Sequence, residues 1–192
     1  MSPLAVDCVI KVGGGVLARA DTFDAVMAEI SLASREAALL VPGGGPFADT
    51  VRDIDRQVGL SDDAAHWMAV LAMDQYAHLI TSRLPSGEIV RGPDEIESAL
   101  QRRRTPVLAP YQWLRDVDPL PHSWDVTSDS ISAWVAGQVG AARLVLVKPP
   151  GASAPDIVDP YFNDALPAHI NVAIVTADRI AELAKAIVAP AI

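Results

Sequence analysis

The fold is decided by two stretches of similar design, AVDCVIKVGGG at residues 5–15 and AALLVPGGG at residues 37–45. Each is an apolar run that stops at three consecutive glycines, which is typical of a buried strand ending in a tight loop. We therefore predict strands over residues 5–12 and 37–41. Between them, apolar side chains recur at helical spacing, which predicts a βαβ unit: Phe23, Val26, Met27 and Ile30.

The rest of the chain continues this alternation of helices and strands. Apolar runs predict strands over residues 106–108, 143–147 and 171–175. The proline-rich segment 109–126 has no steady period and is predicted to be ordered but irregular. Strands that are nearly all apolar indicate an α/β protein, a three-layer α/β/α fold with a mostly parallel sheet. Apolar periodicity predicts helices over residues 47–58, 62–79 and 93–104, from Thr127 or Ser128 onward, and over 177–188.

Composition and charge limit the function classes. The 192 residues, 51% of them hydrophobic, are enough for one compact domain. A net charge of −9 argues against nucleic-acid binding, which requires a clustered basic surface. The single cysteine, Cys8, excludes an internal disulfide, and no apolar run reaches the ~20 residues of a membrane span. Since the start of the chain has no signal-peptide pattern, we expect a soluble cytoplasmic protein without membrane partners.

The two glycine triplets, Gly13-Gly14-Gly15 and Gly43-Gly44-Gly45, are candidate anion sites. Glycines between a strand and a helix let backbone N–H groups point into one cavity, beside the positive end of the helix dipole. A tight strand-to-helix turn is the competing explanation for each triplet. Lys11 favours an anion site, because a lysine near the end of an apolar strand buries its charge unless the ammonium emerges at the carboxyl edge of the sheet.

A third candidate is the start of a predicted helix at Thr127-Ser128-Asp129-Ser130. Three hydroxyl groups and one carboxylate are concentrated in its first turn, where they are available to bind a ligand. Ordinary helix capping explains the same residues, since a carboxylate at a helix N-terminus contributes about 0.3–1 kcal/mol. The sequence leaves both explanations open for Asp129, Thr127 and Ser128.

Other nucleotide and metal motifs fit less well. The Walker A pattern is absent. Both triplets match the loose Rossmann pattern, so a dinucleotide-binding oxidoreductase is an alternative. Such a protein has an acidic residue at the end of the next strand to bind the ribose, whereas here that strand ends at Val41-Pro42. The histidines lack metal-ligand spacing, which predicts no metal site: His66, His78, His122 and His169.

Three motifs, taken in order, resemble those of the amino-acid-kinase superfamily: IKVGGG at residues 10–15, VPGGGPFA at 41–48 and TSDS at 127–130. The segments MDQ at 73–75 and HSWDVTSDS at 122–130 further resemble the branch of (aminomethyl)furanylmethyl phosphate kinases of methanofuran biosynthesis. The resemblance implies transfer of a phosphoryl group from ATP, with Mg²⁺, to a small phosphorylated acceptor such as an aminomethylfuran phosphate in one-carbon metabolism. It also implies association into homo-oligomers.

The resemblance implies roles for individual residues as well. Lys11 is similar to the phosphate-binding lysine of the family, and Asp129 to the aspartate that orients the lysines around the transferred group. The resemblance also divides the single domain, residues 1–192, into an acceptor-binding half at 1–126 and a reduced nucleotide-binding half at 127–192. The implied nucleotide site comprises Gly13, Gly14 and Gly15, and the implied acceptor site comprises Gly43, Gly44, Gly45, Thr127 and Ser128.

One segment departs from the family pattern. After the strand at 143–147 the family has a Thr-Asp-Val-x-Gly-like nucleotide loop, whereas this chain has Lys148-Pro149-Pro150-Gly151. Lys148 is therefore expected to be either a second cation at the nucleotide or an exposed loop lysine. The departure and the short C-terminal part leave open a non-catalytic homologue that binds a metabolite or a partner enzyme of the same pathway.

Overall fold

Strands and helices alternate along the chain in the computed structural model, which describes residues 6–33, 37–153 and 157–188. The strands are β1 (Cys8–Val12), β2 (Ala38–Pro42), β3 (Gly87–Val90), β4 (Thr105–Leu108), β5 (Arg143–Lys148) and β6 (Asn171–Thr176). The helices are α1 (Ala20–Ala33), α2 (Gly45–Val58), α3 (Asp62–Arg83), α4 (Pro93–Gln101), α5 (Tyr111–Val117), α6 (Ser128–Gln138), α7 (Phe162–Ala165) and α8 (Leu183–Val188). Two 3-10 turns, Gly14–Ala18 and Ala177–Glu182, precede α1 and α8.

Within the described residues, six strands form one sheet in the order β3-β4-β2-β1-β5-β6, and every neighbouring pair is parallel. Apolar clusters cover both faces, because successive side chains of a strand point to opposite sides. In β1, Val9 joins the cluster that includes α4 and α6, whereas Ile10 and Val12 join the cluster that includes α1 and α8. The predicted three-layer α/β/α fold is confirmed, and Cys8 is buried.

Several segments differ from the predictions, among them the short helix α7, which was not predicted. Segment 109–126 contains the short helix α5, which buries Trp113 and Leu114 and is too short to establish a helical period in the sequence. The strand β3 was missed because it is short and lies at the sheet edge, where three of its four residues are half-buried and only Val90 is buried, so it gives little apolar signal. The predicted helix over 177–188 is interrupted, since Arg179 leaves the helical backbone region. Residue 5, the predicted start of the first strand, lies outside the described residues.

The parallel sheet brings the candidate loops together at one edge. Val12, at the end of β1, is in register with Pro42 of β2 and with Val147 of β5. The two glycine triplets and the segment after Lys148 therefore leave neighbouring strands at the same, carboxyl edge, where open α/β sheets bind their ligands. Among the helices of the described ranges, none combines the length and the apolar character needed to cross a bilayer.

Candidate functional site

Two lysines near the ends of neighbouring strands share one face of the sheet. Lys11 is the penultimate residue of β1, and Lys148 is the last residue of β5. Because Val12 and Val147 point into the cluster on the opposite face, strand alternation turns both lysines toward the side covered by α6. Lys11 is 4% exposed and Lys148 is 8% exposed. Lys148 is thus buried at a strand end, so the alternative of an exposed loop lysine is wrong, and β5 is one residue longer than predicted.

One carboxylate, that of Asp129 in the first turn of α6, joins the two lysines. Its Oδ1 lies 2.7 Å from Lys11 Nζ, and Lys148 Nζ donates to its Oδ2 at 2.5 Å. Burial by itself would raise the pKa of Asp129, but the ammonium groups of Lys11 and Lys148 outweigh burial and hold that pKa below its usual value. Burial and the nearby charge of Lys11 lower the pKa of Lys148, although Asp129 opposes this shift.

Lys11, Asp129 and Lys148 form a triad of two positive charges and one negative charge that is almost completely buried. An excess of buried positive charge is unfavourable unless another anion approaches. A lysine ammonium has three donors; Lys148 donates one of them to Asp129, and Lys11 forms an ion pair with the same carboxylate. The remaining donors are suited to the oxygens of a phosphate, with which they form charge-assisted hydrogen bonds.

The two glycine triplets are pressed against each other, backbone to backbone. A Cβ on Gly14 would lie 2.3 Å from the nitrogen of Gly45, so only glycine fits there. The amide of Gly13 donates to the carbonyl of Val147 at 2.8 Å, and the amide of Gly43 donates to the carbonyl of Val12 at 2.8 Å. The amides of Gly13 and Gly43 therefore extend the sheet, whereas the other four glycines line a cavity.

A cavity of about 200 Å³ opens beside these glycine loops, between α2, α3 and the first turn of α6. Apolar side chains such as Val70, Met73 and Ile131 form part of its wall, and Arg52 is the one lysine or arginine among the lining residues. The structure thus brings six of the predicted ligand-binding residues to a single cavity: Gly14, Gly15, Gly44, Gly45, Thr127 and Ser128.

Arg52 was missed by the sequence reasoning. Its guanidinium lies 4.8 Å from the ring centroid of Trp124 and pairs with Asp49 at 2.9 Å. The indole N–H of Trp124 in turn donates to Asp55 at 2.8 Å, which fixes the ring over α2. The available signal was spacing: Arg52 is four residues after Ala48, which packs on the second glycine triplet, and such positions share a helix face.

The start of α6 is held by a remote aspartate, Asp159, which the sequence reasoning also missed. Its Oδ2 accepts hydrogen bonds from the Thr127 hydroxyl at 2.7 Å and from the amides of Thr127 and Ser130 at 3.0 Å each. The Thr127 side chain itself makes no capping bond, and Asp129 faces the lysines. Ordinary capping by Asp129 or Thr127 is therefore not what the structure has.

Two of the four histidines, predicted to be scattered, meet near the N-terminal end of α3. The rings of His66 and His122 stack with centroids 4.1 Å apart, and the nitrogens of His122 lie 2.7 Å from Asp63 and 2.9 Å from Asp118. Burial, and then the nearby His122, lower the pKa of His66 to about 4, so this cavity-lining imidazole is neutral at physiological pH. Over the described ranges, no cluster of three or more histidine, cysteine or acidic side chains is arranged to hold a metal ion.

The sequence of this chain is similar to that of a curated protein. A curated relative, the [5-(aminomethyl)furan-3-yl]methyl phosphate kinase of Methanocaldococcus jannaschii, is 26% identical over 142 residues, which are 72% of this chain and 63% of the relative. The chain thus matches less than two thirds of that relative's length.

Solved structures share the fold at lower identity. The uridylate kinase from Archaeoglobus fulgidus superposes with a TM-score of 0.71 at 16% identity, over 97% of each chain. The UMP kinase from Ureaplasma parvum superposes with a TM-score of 0.65 at 14% identity, over 94% of this chain and 95% of that one. The model of the amino acid kinase family matches residues 8–149, which extend from the first residue of β1 to the residue after Lys148. This chain belongs to the amino acid kinase family.

Proposed function

We propose that this protein is a kinase that transfers the γ-phosphoryl group of ATP to the phosphate group of a small acceptor. The observation that carries the proposal is the buried triad of Lys11, Asp129 and Lys148 beside a cavity lined by both glycine loops. The name of the M. jannaschii relative supports an aminomethylfuran monophosphate as the acceptor. The product is then the corresponding diphosphate, as expected for a step in methanofuran biosynthesis.

The chemistry suits these residues because phosphoryl transfer depends on positioning and charge neutralisation. An oxygen of the acceptor phosphate forms a bond to the γ-phosphorus while the bond to the β–γ bridging oxygen breaks, and ADP leaves with that electron pair. A phosphate nucleophile that is already a dianion has no proton to lose, so no general base is required. Lys11 and Lys148 stabilise the charge on the transferred group, and Asp129 keeps the two ammonium groups in place.

The nucleotide phosphates fit next to the first glycine triplet. Gly14 and Gly15 begin a 3-10 turn, and the first N–H groups of a helical turn have no partner within it. These amides, with the two lysines, would hold the β- and γ-phosphates. Mg²⁺ would arrive bound to the phosphate oxygens, since the described residues provide no side-chain cluster for a metal.

The acceptor fits the cavity between α2, α3 and the first turn of α6. Its volume of about 200 Å³ is below the ~300–1,000 Å³ of typical drug-sized sites, which favours one small ring over a nucleoside. Arg52 is suited to bind the acceptor phosphate, because a guanidinium recognises phosphate through two parallel hydrogen bonds. The apolar wall at Val70 and Met73 then contacts the ring.

The direct test combines purified protein, ATP, Mg²⁺ and the aminomethylfuran monophosphate, with ³¹P NMR to follow the products. We expect equal amounts of ADP and acceptor diphosphate, and far slower transfer to UMP because of the size of the cavity. Lys11→Met should abolish transfer, whereas Lys185→Met, at an exposed position on α8, should not. No transfer by the wild type, together with no ATP binding in calorimetry, would refute the proposal.

A second candidate is a non-catalytic relative that binds the acceptor or a partner enzyme. It is favoured by Pro149, whose ring packs on Gly15 in the loop where the family pattern has its nucleotide motif. This candidate predicts that calorimetry detects the furan monophosphate but not ATP. Homo-oligomer formation and a cytoplasmic location stay predictions from the sequence.

A further inference from the structure

Asp159 lies in the segment after β5, yet its carboxylate is bound to the start of α6. The hydroxyl of Ser130 donates to Oδ1, and three further donors, the Thr127 hydroxyl and the amides of Thr127 and Ser130, converge on Oδ2. Thr127 lines the acceptor cavity, and Ser130 follows Asp129 directly. One carboxylate thus holds the residues on both sides of the triad aspartate.

The same segment contributes to the site at its other end as well. Lys148, where the segment begins, donates to Asp129, and the following Pro149 packs on Gly15 of the first glycine loop. The first turn of α6 is therefore fixed twice by one stretch of chain, through Lys148 and through Asp159. The two fixed points lie on the sides of the site that the proposed function assigns to the nucleotide and to the acceptor.

We propose that Asp159 is a positioning residue for phosphoryl transfer, which holds Asp129 and Thr127 in register with the two lysines. This inference rests on the proposed function. Hydrogen bonds to a charged carboxylate are stronger than neutral ones, so four of them restrict the first turn of α6 more than an ordinary serine or threonine cap. A shift of about 1 Å in a group that orients the reaction costs on the order of 10²-fold in rate.

Asp159→Asn is the appropriate variant, because the amide keeps the size of the side chain but replaces one acceptor oxygen by a donor. We expect kcat to fall about 10- to 100-fold, as for other residues that orient a catalytic group. The affinity for ATP in calorimetry should change less than about twofold, since Lys11, Gly14 and Gly15 are untouched. Asp164→Asn, an exposed carboxylate in the nearby helix α7, is the matched control and should leave both values unchanged.

Hydrogen exchange provides a readout that does not depend on catalysis. The amides of Thr127 and Ser130 should exchange faster in Asp159→Asn than in the wild type or in Asp164→Asn. In a Ser130→Ala background, Asp159→Asn should reduce kcat by a smaller factor, because one of its contacts is already lost.

The outcomes separate this inference from the proposed function. If Asp159→Asn speeds up amide exchange but leaves kcat unchanged, Asp159 is a purely structural cap and the proposal is overturned. Unchanged amide exchange in Asp159→Asn would also overturn the proposal. A wild type that transfers no phosphate would refute the proposed function, whereas the exchange measurement would still decide whether Asp159 holds the first turn of α6.

Discussion

Replacing Gly14 by alanine tests whether the contact between the two glycine loops builds the site. Gly14 is not among the residues with positive φ, so its backbone accepts alanine, and any effect is steric. The added Cβ would lie 2.3 Å from the nitrogen and 2.4 Å from the Cα of Gly45, whereas unstrained carbon contacts are about 3.5–4.0 Å. The loops must therefore separate by roughly 1 Å.

That separation has two expected consequences for Gly14→Ala. Overpacking should lower the free energy of unfolding by about 1–3 kcal/mol. Displacing by about 1 Å the amides that are proposed to bind the nucleotide phosphates should lower kcat/KM for phosphoryl transfer on the order of 10²-fold. Urea unfolding followed by tryptophan fluorescence measures the first quantity, and a coupled ADP assay measures the second.

Gly92→Ala is the matched control. Gly92 has an extended backbone, with φ of −177°, and no atom lies within 4 Å of an added Cβ. Since Gly92 is the N-cap of α4, alanine there should cost no more than about 1 kcal/mol and leave kcat/KM unchanged. If Gly14→Ala matched Gly92→Ala in both stability and activity, the backbone contact between the triplets would have no functional role.

Three further predictions concern charged groups of the site. Asp129→Asn leaves Lys11 and Lys148 buried without their shared anion. We expect the free energy of unfolding to fall by about 3–5 kcal/mol and the rate of phosphoryl transfer to fall at least ~100-fold. A free energy of unfolding that chemical denaturation shows to be almost unchanged would contradict this. Because its pKa is lowered, Lys148 loses its positive charge as pH rises while still below the usual lysine range. The wild-type rate should decline there, and Lys148→Arg should lack that decline in a pH–rate profile. The pKa of His66 is about 4 in the folded protein and 6.5 ordinarily, so the unfolded chain binds the proton first as pH falls. The free energy of unfolding of the wild type should therefore drop by about 2–3 kcal/mol between pH 6.5 and pH 4. An equal drop in His66→Gln would refute the assignment.

Much of the fold could be predicted because its signals are local. Apolar strands that end in glycine, and helices with a steady apolar period, are visible within windows of about ten residues, so the α/β alternation and the parallel sheet followed from the sequence. The failures have local causes too: α5 (Tyr111–Val117) is too short to show a period, and β3 (Gly87–Val90) is a half-buried edge strand.

The candidate site was only partly predictable. Lys11 and Asp129 stand out in the sequence because a charge interrupts or adjoins an apolar element. Lys148 was also a candidate, but the sequence could not choose between a second cation and an exposed loop lysine, because its burial depends on where β5 ends relative to β1 and on the position of α6. Arg52 shares a helix face with Ala48, whereas Asp159 carries no periodic signal. The importance of both residues appears only when α2 and the segment after β5 are packed against the start of α6.

The sequence by itself determined that this chain alternates strands and helices, that two strands end in glycine triplets, and that a lysine and an aspartate are available beside them. Only the tertiary structure decided that Lys11 and Lys148 share one carboxylate, that Gly14 meets Gly45, and that Asp159 holds the start of α6. The reason is physical: secondary structure follows from interactions between near neighbours in the chain. A phosphate site instead requires charges and amides from distant segments within about 3 Å, which depends on strand register and helix packing.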